Sequence, residues 1–234
     1  MLNFGQGPLY IRGLISDQTN YECILDETGE RSFIFDVTIQ NHGGYDYVGN
    51  DFESKVYVEP EDRREWDGQL SLNGFLYNIG SENIGEEVSK VNQYLTCANY
   101  SDQAFRYLIE ELKKVDEKTI VLMFGDHQPG LLISEHYVDT KESEDPDYTV
   151  PYVLWANYDI EFDAPEYTSP NYLSAILKKN AGMSLTSWDQ FRLDMMEEYP
   201  VVTSNYILDE DGNCVSRELL KDYEIVQYMR AFDR

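Results

Sequence analysis

Between Thr119 and Gln128 the chain runs through Ile120, Val121, Leu122, Met123 and Phe124 without a polar residue, then turns polar at Gly125, Asp126 and His127. An unbroken apolar run suits a strand buried on both faces, as in a parallel α/β sheet. The glycine allows the backbone to turn sharply where that strand ends. A second run, residues 32–39 (SFIFDVTI), is rich in aromatic and β-branched residues and ends in its own polar cluster at Gln40, Asn41, His42, Gly43 and Gly44. Such composition favours a strand. A third run, residues 150–156 (VPYVLWA), has Pro151 at its beginning, where a strand tolerates proline.

The intervening segments follow helical spacing. Residues 15–25 place Ile15, Tyr21, Ile24 and Leu25 at roughly helical intervals behind Ser16, a good N-cap. From Ile84 onward, Val88, Val91, Leu95 and Ala98 share one face, with Glu86, Glu87, Lys90 and Gln93 pointing away from it. After Asn99 and Tyr100 the pattern restarts behind Ser101, read as a second N-cap, with a stripe of Ala104, Leu108, Ile109 and Leu112. A helix feeding a buried strand reads as the return arm of a βαβ unit. The fold class expected is therefore α/β, a mostly parallel sheet flanked by helices. Two more helices are predicted over 171–180 and 187–198, the first stopped at Ala181 and Gly182. Asp211-Gly212 between two short apolar runs signals a hairpin, so residues 166–234 read as helices plus a small C-terminal α+β appendage to a main unit over 1–165. Residues 48–68, acidic and containing Pro60, read as an irregular surface excursion, and a hydrophilic loop follows His127.

Composition narrows the partners. The formal charge is −26, from 44 acidic and 18 basic side chains. A field of that sign repels nucleic acid and anionic membrane surfaces, so no nucleic-acid partner is expected. Cys23, Cys97 and Cys214 lie far apart with no metal-like spacing and are expected as buried apolar thiols. No apolar run approaches the roughly 18 residues of a membrane-spanning helix, and the N-terminus lacks the basic and apolar regions of a signal peptide. The chain as given is expected to be soluble.

Sites in open α/β sheets collect at the carboxyl ends of strands. Asp126 and His127 offer a carboxylate and an imidazole there, two ligands for a divalent cation. Such a cation neutralises phosphate or sulfate oxygens and acidifies an attacking hydroxyl. His42, at the end of the second predicted strand, could donate to a substrate oxygen. His136, in the polar loop, reads as exposed. These residues make an incomplete phosphoryl- or sulfuryl-transfer site: a nucleophile and a further acidic ligand are missing.

Three segments in order, FDVTIQNHGGYD (35–46), YSDQAFRYLIEELKK (100–114) and TIVLMFGDHQP (119–129), resemble the lipoteichoic acid synthase group of phosphoglycerol transferases. That group sits within the sulfatase and alkaline phosphatase superfamily, and VPYVLWANYDI (150–160) resembles its next strand. The resemblance implies that residues 1–165 are the C-terminal half of such a catalytic domain. It implies a divalent metal, most commonly Mn²⁺ with Mg²⁺, Ca²⁺ or Zn²⁺ as alternatives, held by Asp126 and His127, and a substrate phosphate contacted by His42. The substrate it implies is a phosphoglycerol lipid, a polyol phosphate or a sulfate ester, handled through a covalent threonine or serine on the outer face of a bacterial membrane. That nucleophile and the first glutamate ligand would lie upstream of these motifs. Thr38 falls within the predicted strand and does not match the nucleophile. On this reading no catalytic nucleophile lies in the chain, which alone is inactive; the alternative is a non-catalytic module that keeps the fold for binding.

Overall fold

The computed structural model describes residues 9–28, 31–50, 52–58, 63–66, 69–72, 75–78, 84–131, 149–204 and 206–232. Two compact units share the chain, one formed by residues 1–119 and 123–153, the other by 120–122 and 154–234.

In the first unit, β1 (Tyr10–Ile11) and β2 (Leu14–Ile15) form an antiparallel hairpin that leads into α1 (Asp17–Glu27). Ser16 caps α1 as its composition predicts, its hydroxyl accepting from the Thr19 N–H at 3.2 Å. The helical stretch from Ile84 is one continuous helix, α2 (Ile84–Leu112), with no restart at Ser101. Nothing at Asn99-Tyr100 breaks the backbone ladder, and Ser101 spends its hydroxyl elsewhere. Val88, Val91, Ala104, Leu108 and Leu112 are buried as expected. Gln93, Glu87 and Thr96 are buried too, against the expected polar face. The cause is a second layer over that face. Gln93 binds both the N–H and the C=O of Tyr47 (3.2 and 3.1 Å), and Thr96 accepts from the Lys55 and Val56 N–H groups (2.9 and 3.0 Å). Asn92 accepts from Val58 at 2.9 Å. Side chains of α2 thus do for residues 47–58 what a neighbouring strand would, satisfying backbone groups that burial would otherwise orphan.

Two expectations in this unit fail. Residues 32–39 are extended but form no strand, and Phe33, Phe35 and Val37 are 81, 72 and 72% exposed. The period-two geometry survives: Thr38 and Asp36 act on Asp17 while the odd positions face outward. What is lacking, among the described residues, is a partner backbone for the ladder. Residues 63–78, in turn, hold a three-stranded antiparallel sheet of β3 (Arg63–Trp66), β4 (Gln69–Leu72) and β5 (Phe75–Asn78). Part of it lies within the stretch read as irregular. Asp67-Gly68 and Asn73-Gly74 are two-residue hairpin signatures that the charged run before them obscured.

The apolar runs at 120–124 and 150–156 do form paired strands, β6 (Ile120–Phe124) and β7 (Tyr152–Ala156). The Gly125 N–H donates to the Pro151 carbonyl at 3.1 Å, so the end of β6 lies beside the start of β7, as in a hairpin. The β1–β2, β3–β4, β4–β5 and β8–β9 pairings are all antiparallel and join strands adjacent in sequence.

In the second unit, α3 (Pro170–Asn180) and α4 (Ser187–Glu198) pack together with Tyr172, Leu173, Ala175, Ile176 and Leu193 buried. α3 stops at Ala181 and Gly182, the latter at φ +65°. β8 (Val201–Val202) pairs with β9 (Ile207–Leu208). The predicted Asp-Gly turn closes with Gly212 at φ +79° and a bridge between Leu208 and Cys214. A short 3₁₀ turn (Arg217–Leu220) then leads into α5 (Lys221–Phe232). Of the cysteines only Cys97 is buried; Cys23 and Cys214 lie on exposed positions of α1 and of the hairpin. No described helix is long and apolar enough to cross a membrane.

Candidate active site

Gly125 lets β6 deliver its carboxyl end close to the opposite backbone. A Cβ there would meet the Val150 Cβ at 3.0 Å, tighter than most side-chain contacts, so Val150 would have to give way slightly. Asp126 and His127 follow at once, both exposed. The Asp126 Oδ1 accepts the His127 N–H at 2.9 Å, while its Oδ2 lies 3.4 Å from the His127 Nε2. The His127 Nδ1 sits 2.7 Å from the Gln128 carbonyl, which can only accept, so Nδ1 carries the proton. In the neutral ring that leaves a lone pair on Nε2 facing a carboxylate oxygen. Two acceptors placed this way can share a metal ion between them. A hard oxygen and an imidazole nitrogen suit Mn²⁺ or Zn²⁺. Among the described residues, no group of three or more His, Cys, Asp or Glu is placed to hold a metal ion. The pair therefore fits a metal site as two of its ligands.

His42 is exposed, on a loop whose other residues are held tightly. The holding starts at Arg12, in the two-residue turn between β1 and β2. Arg12 has φ +53° and Gly13 φ +76°. A non-glycine residue in that region is strained by about 1 kcal/mol. Its guanidinium, buried, donates to the carbonyls of Gln40 (3.1 Å) and His42 (2.8 Å) and lies 4.9 Å over the Tyr45 ring. Gln40 is fully buried: its Oε1 accepts from the Asp17 N–H at 3.1 Å, and its amide donates to Ser101 Oγ and the Cys97 carbonyl at 3.0 and 3.2 Å. Asn41 donates to the same Ser101 hydroxyl at 2.8 Å, and that hydroxyl donates to the Asp17 carboxylate. Burial pushes the Asp17 carboxyl up, and the Ser101 hydrogen bond only partly restores it. The α1 N-terminus and the middle of α2 thus fix the backbone on both sides of His42. None of these residues was read from the sequence as a support of His42.

The two loops also meet. Tyr45, three residues after His42, and Leu131, four after His127, are buried in one cluster with Val91. Burial raises the Tyr45 phenol to about 12, with the Tyr94 ring neighbour and the Asp126 carboxylate adding to the effect. Thr38 reaches the Asp17 carboxylate. His136 lies outside the described residues.

An α/β unit with an acidic-imidazole pair at a strand end is compatible with the alkaline phosphatase and sulfatase class of fold. The Sulfatase family profile matches residues 8–182, and the chain belongs to that family. Its structure is similar to that of the Streptococcus pyogenes phosphoglycerol transferase GacH in complex with sn-glycerol-1-phosphate, with a TM-score of 0.65 and 19% identity over 95% of this chain and 50% of that one. The sequence is 24% identical over 228 residues to a Rhizobium meliloti (strain 1021) protein whose name assigns it to cyclic beta-1,2-glucan modification, covering 89% of this chain and 32% of the relative. The chain thus spans about a third to a half of the proteins it matches.

Proposed function

We propose that this chain carries the metal-ligating and phosphate-contacting part of an enzyme that transfers or hydrolyses phosphate or sulfate esters in a bacterial cell envelope. A phosphoglycerol-type donor on the outer face of the membrane is the substrate class this reading favours. Residues 1–165 would form the C-terminal half of the catalytic domain, and 166–234 its appended helices and small sheet. The observation that carries the reading is the meeting of the two loops: Tyr45 and Leu131 pack together, with Asp126 and His127 on one loop and His42 on the other. Asp126 Oδ2 and His127 Nε2 would hold a divalent metal, most commonly Mn²⁺, which when bound neutralises ester oxygens and acidifies a hydroxyl nucleophile. His42, its backbone clamped by Arg12, would donate an N–H to a substrate oxygen. The remaining ligands and the nucleophile would come from outside the described residues.

The test compares this 234-residue chain with a longer polypeptide that includes residues encoded upstream, on a chromogenic phosphodiester and a chromogenic sulfate ester. The short chain should be silent and bind Mn²⁺ weakly by calorimetry, because two ligands leave most of the coordination sphere to water. The longer one should turn over one of the esters in a manner that needs added Mn²⁺ and His127. Metal-dependent turnover by the short chain, abolished by His127→Ala, would refute the division proposed here. A silent longer polypeptide would favour a non-catalytic module.

A further inference from the structure

The second unit holds a cleft of about 340 Å³ between α3, α4 and α5, lined by Asn171, Trp188, Arg192, Tyr223, Gln227 and Arg230. In a chain with 44 acidic side chains and 18 basic ones, it is notable that no acid lines this space. Two guanidinium groups do. Arg230, on α5, stands 5.3 Å from the Trp188 ring centre, and Arg192, on α4, stands 5.5 Å from it. No carboxylate among the described residues pairs with Arg230. Arg192 is buried and pre-set: its Nη1 donates to the Asn171 carbonyl and Ser174 Oγ, both at 2.8 Å, and its Nη2 to Asp189 at 2.7 Å. Its Nε, however, is buried with no hydrogen-bond partner. That atom is shielded from solvent, so the accessible cation of the cleft is Arg230.

Asp189 does not cancel this field. It is shared with part-exposed Lys178 at 2.9 Å as well as Arg192, so the three groups together carry one net positive charge before Arg230 is added. At physiological salt the screening length is about 8 Å, so charges beyond that distance count for little inside the cleft. The rest of the lining is neutral and polar: the Asn171 amide, which already donates to the Tyr223 hydroxyl at 3.1 Å, and the Gln227 amide. Trp188, stacked with Phe191 and Tyr223, supplies an apolar wall. Cations for an oxyanion, amides for hydroxyl groups, an aromatic wall for C–H surface and room at the small end of ligand pockets together describe one chemistry. We propose that this cleft binds the phosphate monoester of a sugar or polyol, with Arg230 as the phosphate donor and Arg192 adding to the positive field behind it.

The test titrates the full chain, in a His127→Ala background, with glucose 6-phosphate, glucose and inorganic phosphate, following heat and tryptophan emission. That background removes the Asp126–His127 pair as a reporter, so a failed proposal for the loops does not affect the result. The expected outcome is saturable binding of glucose 6-phosphate, at least about tenfold tighter than glucose and tighter than inorganic phosphate. Arg230→Gln should weaken it at least about tenfold without lowering the melting temperature, since Arg230 is exposed. Arg230→Lys should retain part of the affinity, and Trp188→Phe should remove the emission change. Equal binding of glucose and glucose 6-phosphate, or unchanged affinity in Arg230→Gln, would overturn the proposal. So would an affinity for inorganic phosphate alone that matches the sugar phosphate, because the cleft would then recognise only an adventitious ion.

Discussion

Replacing Gln40 by Leu keeps the volume of a fully buried side chain and removes its hydrogen bonds. The lost partners are not equal. The Cys97 carbonyl stays in the α2 ladder, and Ser101 Oγ still accepts from Asn41 at 2.8 Å. The Asp17 N–H, which donated to Gln40 Oε1 at 3.1 Å, is left buried without an acceptor. One orphaned donor accounts for about 2 kcal/mol and the remaining amide bonds for about 1 kcal/mol net, so the substitution should destabilise the first unit by about 3 kcal/mol. With a urea slope of about 2 kcal/mol/M, the midpoint should fall by about 1.5 M in circular dichroism melts. The loss should be local in its first effects. Amide exchange of residues 41–45 should accelerate at least about tenfold while residues 172–176 of α3 stay protected. A midpoint shift under about 0.5 M, or exchange at 41–45 no faster than in the wild type, would refute the view that Gln40 holds the His42 loop.

Asp189→Ala should destabilise the second unit by about 3 kcal/mol in the same melts, because it strands the buried Arg192, part-buried Lys178 and the Thr186 cap groups together. Burial works to raise the Asp189 carboxyl, but the Thr186, Lys178 and Arg192 hydrogen bonds prevail and hold it well below the usual carboxylate range. Its contribution is therefore present above the unfolded value near 3.8 and is lost as pH falls through the depressed folded value. Asp17 has the opposite sign: burial raises it, so its contribution is complete below 3.8 and declines as pH rises through the elevated folded value. Asp17→Asn, which mimics the neutral acid and keeps an acceptor for Ser101, should gain stability relative to wild type between pH 3 and 6 (about the range where carboxyls titrate), read as a growing difference in melting temperature.

The apolar strands and the Gly-Asp-His turn were legible because their signals are local: a run of like residues, then a glycine and two ligands side by side. The support of His42 was not. Gln93 and Thr96 sit on the polar side of any helical wheel of α2, and only residues 47–58 folding back over them make that side an interior. Arg12 gives no signal beyond the glycine that follows it, since an arginine at φ +53° is an exception to the preferences that sequence reading uses. For residues 32–39 the composition is strand-like, yet no strand forms. Strand formation, though, is a property of two backbones, and composition describes only one.

α2 is 29 residues long, about 43 Å at 1.5 Å per residue. Its side chains bind backbone at Tyr47, Lys55, Val56 and Val58, and its Cys97 and Ser101 bind Gln40 and Asn41, across sequence separations of 34 to 61 residues. During synthesis the Asn-His-Gly loop therefore leaves the ribosome some sixty residues, or at 5–20 residues per second about 3–12 seconds, before Ser101 exists to receive it. The order of assembly is thereby set: the helix forms from local contacts, and the loop zips onto it afterwards, with the loop-closure entropy of that span still to be overcome. His42 acquires its place late, as a product of folding around α2.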